Sequence, residues 1–88
     1  MGVDPETRTI RAMLCAMCPK RAVEYIKAFE LPPEEEMVLI EREVRKRSVQ
    51  QIAEAHQMSP ETVKHRRQAA FHKMKDGIHF SELFRPFH

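Results

Sequence analysis

The second half of the chain carries a group of polar side chains that could contact the edges of nucleic-acid bases. Lysine, histidine and glutamine donate hydrogen bonds to guanine or adenine edges, and glutamate accepts one from cytosine N4. At helical spacing, five such residues fall on the exposed face of one segment, near its start. They are Glu61, Thr62, Lys64, His65 and Gln68. The pattern predicts a helix whose N-terminal part contacts bases in the major groove of DNA.

A second set of residues suits the phosphate backbone, which positions a protein on DNA without specifying sequence. Arginine and lysine pair with phosphates, and the backbone N–H groups at a helix N-terminus bind them. The predicted phosphate contacts are basic side chains and residues at two helix starts: Arg45, Lys46, Arg47, Ser48, Gln50, Ser59, Arg66, Arg67 and Lys73.

Two helices joined by a short turn would position these residues. Ser48 is a predicted N-cap, and Gln51 three residues later completes a capping-box pattern. Ser59 is a second predicted N-cap, and the helix after it should run to about Lys75. Gly77 is a natural C-terminal stop for that helix.

The predicted inner faces of these two helices fit one another. Ala53 is a small residue where the helices would cross, and Val63 is an apolar residue for the inner face of the second helix. Ala70 and Met74 continue that buried stripe at helical spacing. This layout is typical of a helix-turn-helix.

Three further helices are predicted ahead of this motif, at residues 5 to about 17, 19 to about 29 and 33 to about 45. Each begins with a proline, which fits the first turn of a helix. The apolar stripes are Ile10, Met13, Leu14 and Met17; Ala22, Val23, Ile26 and Phe29; and Met37, Ile40 and Val44, widened by Val38 and Leu39.

The fold class is therefore predicted as all-α, a small bundle of about five helices with a C-terminal helix-turn-helix. A short aromatic tail should pack on the core through Phe80, Leu83, Phe84 and Phe87, and dimerisation through that tail is the alternative. We expect one domain, made of an N-terminal helical pair (residues 1–30), the helix-turn-helix part (31–75) and the tail (76–88).

The composition favours a soluble helical protein with a polyanionic partner. Of 88 residues, 42% are hydrophobic and 32% charged. No apolar run could span a bilayer, and the N-terminus lacks the features of a signal peptide, so a cytoplasmic location is expected. Residues 42–75 hold nine Lys or Arg against three Asp or Glu, which leaves a net −4 for the rest of a chain whose total is +2. Five of the remaining acids lie in residues 30–41, and a basic half beside this acidic segment suits DNA on one face.

Residues 31–74, LPPEEEMVLIEREVRKRSVQQIAEAHQMSPETVKHRRQAAFHKM, resemble the fourth conserved region of bacterial sigma factors. The shared order is a Leu-Pro-acidic opening, a scaffold helix, a Ser-x-x-x-Ile-Ala helix and then Ser-Pro-x-Thr-Val-Lys. LuxR-type DNA-binding domains share much of this, but their linker before Ser-x-x-x-Ile-Ala is usually one residue shorter. The resemblance implies recognition of a promoter's minus-35 region and contact with RNA polymerase. By the same analogy, the residues that touch DNA are Thr62, Lys64, His65 and Arg66.

The chain departs from that family's pattern at several positions. Gln57 occupies the turn position usually held by glycine, where a left-handed conformation costs about 1 kcal/mol. His56 replaces a leucine, and we expect a partly covered neutral histidine there. Arg66 and Arg67 are both charged where one inward apolar residue is common, so the orientation of the helix could be rotated.

The sequence predicts neither a metal site nor an enzyme. Cys15 and Cys18 have zinc-like spacing but supply only half of a tetrahedral site, so reduced cysteines are expected, at least one of them filling core space. No nucleophile–base pair, glycine-rich phosphate loop or supported carboxylate pair is present. No cofactor is expected.

The predicted function is a sequence-specific transcription regulator that binds double-stranded DNA as a monomer or homodimer. Its small size suggests an origin in a phage or other mobile element. Two alternatives remain: a protein-interaction module that contacts RNA polymerase or another transcription factor through residues 34–41 and the tail, and the small-terminase-like DNA-recognition subunit of a phage packaging machine.

Overall fold

The structure, a computed structural model, describes the backbone of residues 5–83 and the side chains of residues 5–77. The described residues form five α-helices and one π-helical turn, and they contain no strand. The helices are α1 Pro5–Ala16, α2 Pro19–Lys27, α3 Pro33–Leu39, α4 Val49–Ala55 and α5 Pro60–Leu83, and the π turn Ile40–Val44 continues α3 directly. The all-α prediction is confirmed.

Prolines and caps begin the helices where the sequence predicts. Pro19 is the first residue of α2 and Pro33 the first residue of α3. At α3, three glutamates follow in the first turn, where carboxylates interact favourably with the helix dipole. The π turn is closed by the bond from the Arg45 N–H to the Ile40 carbonyl, 3.0 Å.

The core has two parts that meet along α3. The larger part joins α1, α2, α3 and α5, and its buried residues are Ile10, Leu14, Ala22, Ile26, Leu31, Leu39, Ala70, Phe71 and Met74. The smaller part belongs to the helix-turn-helix and consists of Val38, Ile52, Ala53 and Val63. Neighbouring residues Val38 and Leu39 therefore point into different parts of the core, and α3 is the scaffold on which both assemble.

The buried face of α3 and the π turn differs from the predicted apolar stripe. Met37, Ile40 and Val44 are only half-buried, whereas Glu35 and Glu43 are 8% and 3% exposed. With Leu39 between them, these two carboxylates follow an i, i+4, i+8 row on the inward face. The apolar residues of the predicted stripe do face the core, since Val38 and Leu39 are buried and the other three pack against it, but an apolar pattern cannot reveal buried charges.

Each buried carboxylate is paired with a cation from α5. The Arg67 Nε lies 2.8 Å from Glu43 Oε2, and the Arg11 Nε from α1 lies 3.1 Å from Glu43 Oε1. The Lys73 Nζ lies 2.9 Å from both oxygens of Glu35. These pairs tie the scaffold to α1 and α5 at points where an unpaired carboxylate would be strongly unfavourable.

Three further predictions are wrong. Gly77 lies inside α5, because a glycine in a helix costs only about 1 kcal/mol and a Cβ there would come within 3.1 Å of the Phe29 ring. His56 is exposed at the end of α4 rather than partly covered. Cys15 and Cys18 are both exposed free thiols, since they lie at the corner between α1 and α2 outside the core.

The prediction that the aromatic tail packs on the core lies outside the described side chains. Among the described residues, no helix combines the length and the apolar character needed to cross a membrane.

We predict that Glu43→Gln lowers the free energy of unfolding by about 2 kcal/mol. Removing one partner of a buried ion pair costs about 3–5 kcal/mol, and the cost is reduced here because the Arg11 and Arg67 side chains keep 39% and 23% exposure. Urea denaturation followed by circular dichroism measures the change.

Glu36→Gln is the matched control for this substitution. Glu36 pairs with Lys27 at the surface, where both side chains are more exposed than that of Glu43, so its loss should cost less than about 1 kcal/mol. Equal effects of the two substitutions would show that Glu43 is not a structural anchor.

Candidate nucleic-acid interface

The first helix of the motif, α4, begins with the predicted capping box. The Gln51 N–H donates to Ser48 Oγ at 3.1 Å, and the Ser48 N–H donates to Gln51 Oε1 at 2.9 Å. Ile52 and Ala53 lie on the buried face of this helix, while Gln50 is exposed in its first turn. The start of α4 is therefore fixed, and its outer side is open to solvent.

A tight turn connects α4 to α5. Gln57 has φ of 56°, the left-handed conformation expected from its place in the motif. The Met58 N–H then donates to the Ala53 carbonyl at 2.9 Å and closes the end of α4. The turn thus has the geometry that glycine favours, although glutamine is present.

The second helix, α5, begins at a serine cap. The Thr62 N–H donates to Ser59 Oγ at 3.1 Å, and the two hydroxyls of Ser59 and Thr62 lie 2.9 Å apart. Val63 is completely buried, as predicted, against the small core of the motif. Since Val63 fixes one face of α5 inward, the opposite face of the first turns must point outward.

The predicted base-contacting residues lie on that outward face. Four of them are exposed: Glu61, Lys64, His65 and Gln68. Thr62 is half-buried, and its hydroxyl is hydrogen-bonded to that of the Ser59 cap. The structure brings the four exposed side chains together within two turns of one helix. Their donors and acceptors match the chemistry of base edges in the major groove.

Most of the predicted phosphate contacts already have partners within the chain. The pairs are Arg47–Glu41 at 3.1 Å, Arg66–Glu34 at 2.7 Å, Arg67–Glu43 at 2.8 Å and Lys73–Glu35 at 2.9 Å. The Lys46 Nζ lies 3.2 Å from the Cys15 Sγ. Among the predicted basic contacts, only the Arg45 side chain has no ion-pair or hydrogen-bond partner within the described residues.

These pairs differ in how firmly they hold their cation. Arg67 is bound to a buried carboxylate and lies over the Phe71 ring, 5.1 Å from its centroid. Arg66 and Glu34, by contrast, keep 42% and 57% side-chain exposure. A surface pair of this kind contributes about 0–1 kcal/mol, so Arg66 can exchange its partner at little cost.

The sequence analysis missed the buried carboxylates Glu35 and Glu43, which pair with cations of α5 and hold this helix against the scaffold. The sequence contained one signal for their burial. Glu35 and Glu43 are eight residues apart with Leu39 midway, which places them on one helix face, and α5 contains cations that could pair with them. That signal is weak without knowledge of which helices meet.

No group of three or more His, Cys, Asp or Glu residues within the described part of the chain could hold a metal ion. Burial raises the pKa of Tyr25 above its usual value. It lies on α2 and stacks edge-to-face with Phe29, their ring centroids 5.3 Å apart.

Two helices joined by a tight turn, the second with an exposed polar face at its start, define a DNA-binding helix-turn-helix. Residues 29–76, more than half of the chain, match the family model described as sigma-70, region 4. The chain belongs to this family, which is a DNA-binding rather than an enzymatic one. Comparisons with curated proteins and with solved structures found no match.

We predict that Gln57→Gly raises the free energy of unfolding by about 0.5 kcal/mol. Glycine removes the cost of about 1–2 kcal/mol that a side chain carries at positive φ, partly offset by the greater freedom of the unfolded chain. Thermal or urea denaturation measures the change. Gln68→Gly, at an exposed position inside α5, is the control and should cost about 1 kcal/mol. Destabilisation by both to the same extent would contradict strain at Gln57.

Proposed function

We propose that the protein is a sequence-specific transcription regulator that places the N-terminal half of α5 in the major groove of double-stranded DNA. The observation that carries this proposal is the exposure of Glu61, Lys64, His65 and Gln68 on one face of a helix whose other face is fixed by Val63. Membership of the sigma-70 region 4 family supports recognition of a promoter element.

The roles of the side chains follow from their chemistry and their partners. Lys64, His65 and Gln68 donate to purine edges, and Glu61 accepts from cytosine. Arg45 and Arg66 contact phosphates, the latter by exchanging Glu34 for the DNA backbone. Arg67 and Lys73 act as positioning residues, because both are bound to buried carboxylates of the scaffold.

The starts of the two motif helices complete the proposed phosphate contacts. Ser48 and Gln50 at α4, and Ser59 at α5, lie at helix N-termini, where the first backbone N–H groups have no acceptor within the helix. Lys46 and Arg47 stand beside α4 and contribute positive charge, although each has a partner within the chain.

The acidic segment favours DNA over a protein partner as the main ligand. Glu34, Glu35, Glu36 and Glu41 each pair with a cation of the chain itself. A carboxylate that already has a partner offers less to a basic protein surface than an unpaired one would. Contact with RNA polymerase is therefore proposed as an additional interaction rather than the primary one.

Selection of binding sites from random duplex DNA tests the proposal. The expected result is enrichment of a short consensus, with an affinity that falls steeply as salt rises, because bound phosphates release counterions. Capture of RNA polymerase without duplex binding would support the protein-interaction alternative. Ring-sized oligomers in light scattering, in place of a monomer or homodimer, would support the packaging alternative.

We predict that Lys64→Ala weakens binding to the selected duplex by about 1–3 kcal/mol and relaxes the preference at one base position, as for the loss of a base contact. Fluorescence anisotropy with selected and random duplexes measures both effects. Lys73→Ala, which removes the same charge from the same helix, is the control. It should reduce affinity less in protein that remains folded, since Lys73 is bound to Glu35. A Lys64→Ala protein with unchanged affinity for both duplexes would contradict the proposed contact face.

We predict that Glu34→Gln raises duplex affinity about fivefold. The substitution removes a carboxylate that competes with phosphate for Arg66, a surface effect on the order of 1 kcal/mol. Glu24→Gln on α2 makes the same change of charge at an exposed residue without an ion-pair partner among the described residues. Anisotropy titrations at one salt concentration compare the two. If both variants gain equally, the effect is one of net charge and Arg66 does not exchange its partner.

A further inference from the structure

Two cations near the start of the motif are left without a carboxylate. Lys20, in the first turn of α2, and Arg45, directly after the π turn, have no ion-pair partner among the described residues. Other cations of the described residues, such as Arg8, Arg21 and Lys64, also lack an ion-pair partner, but Lys20 and Arg45 differ from them in lining one groove together. Neither is part of the region that contacts bases.

Lys20 and Arg45 line the same groove. Its volume is about 400 Å³, and its other walls are Pro19 and Val23 of α2 and Val44 of the π turn. No carboxylate of the described residues lines this groove, so an anion bound there would meet two positive charges and no negative one. The groove therefore has the charge and the chemical character of a binding surface for a polyanion.

The groove lies close to the start of the helix-turn-helix. Arg45 precedes the Ser48 N-cap by three residues, so their Cα atoms lie no more than about 11 Å apart. Phosphates of one strand are spaced about 3.4 Å along the DNA axis. A backbone that passes the start of α4 would reach Arg45 within about three nucleotides.

The corner between α1 and α2 contacts the segment between the π turn and α4. Lys46 adopts φ of 61°, and its Nζ lies 3.2 Å from the Sγ of Cys15 at the end of α1. Lys20 follows that corner directly, as the second residue of α2. The end of α1 and the start of α2 therefore lie beside the segment that leads into α4.

We propose that Lys20 and Arg45 form a second DNA-backbone contact, which extends the phosphate track from the helix-turn-helix onto the N-terminal helical pair. The ligand is the phosphate backbone of duplex DNA flanking the sequence-specific site. The inference rests on the proposed function, because it requires that α4 and α5 dock on the same duplex.

The test compares three duplexes that contain the selected site. One is trimmed to the site, and the other two are extended beyond it on one side or on the other. One extension should raise the affinity of the unaltered protein. Lys20→Ala should abolish that gain, lower affinity for the extended duplex about three- to tenfold and reduce the salt-dependence slope by about 0.9, the value for one phosphate contact. Base preference should stay unchanged.

Two further variants make the result specific. Lys20→Glu should lower the affinity further without loss of folding, because a carboxylate is favourable in the first turn of a helix. Lys27→Ala is the control on the same helix; its side chain is paired with Glu36, and the gain from extension should remain.

The outcomes separate the inference from the proposed function. If Lys20→Ala and Lys20→Glu both leave duplex binding unchanged, the inferred second contact is wrong and the proposed function is unaffected. An equal loss from Lys27→Ala would overturn it as well, since only net charge would then matter. Loss of polymerase capture with intact DNA affinity would assign the groove to a protein partner instead. Absence of duplex binding by the unaltered protein would contradict both proposals.

Discussion

The rest of the structure depends on the ion pairs of the buried Glu43 carboxylate. This carboxylate is removed from water and shared between Arg11 of α1 and Arg67 of α5. Burial of a carboxylate costs several kcal/mol unless charged partners compensate it, so these three helical segments must come together in one arrangement. Because Arg67 follows the exposed residues Lys64 and His65 within one turn, the same ion pair fixes how α5 presents them.

The charges of the chain are divided between folding and binding. The acidic segment and the basic half suggested separate surfaces, but three acids of the former pair with three cations of the latter, as Glu34–Arg66, Glu35–Lys73 and Glu41–Arg47. Arg67 and Lys73 hold the scaffold, Arg66 has a partner that it can exchange, and Arg45 and Lys64 remain exposed. Net charge therefore overstates the surface available to phosphates, and the position of each cation matters more than their number.

Local signals in the sequence were sufficient for the elements but not for the contacts between them. Proline and serine at helix starts act within one turn, so the beginnings of α2, α3, α4 and α5 could be predicted. The burial of Glu43 depends on residues 24 and 32 positions away in sequence, which an apolar pattern does not contain. Gly77 was misjudged for the same reason, since its role depends on the distant ring of Phe29. The candidate base-contacting face was predictable because Val63 fixes it locally, whereas the partners of the basic residues were not.

Backbone amide chemical shifts recorded during titration with the selected duplex test the central claim most directly. The account predicts the largest changes at residues 45–51 and 60–68, with little change in the buried part of α3. Changes confined to the acidic residues 30–41, with residues 60–68 unaffected, would show that the exposed face of α5 does not contact DNA and would contradict the account.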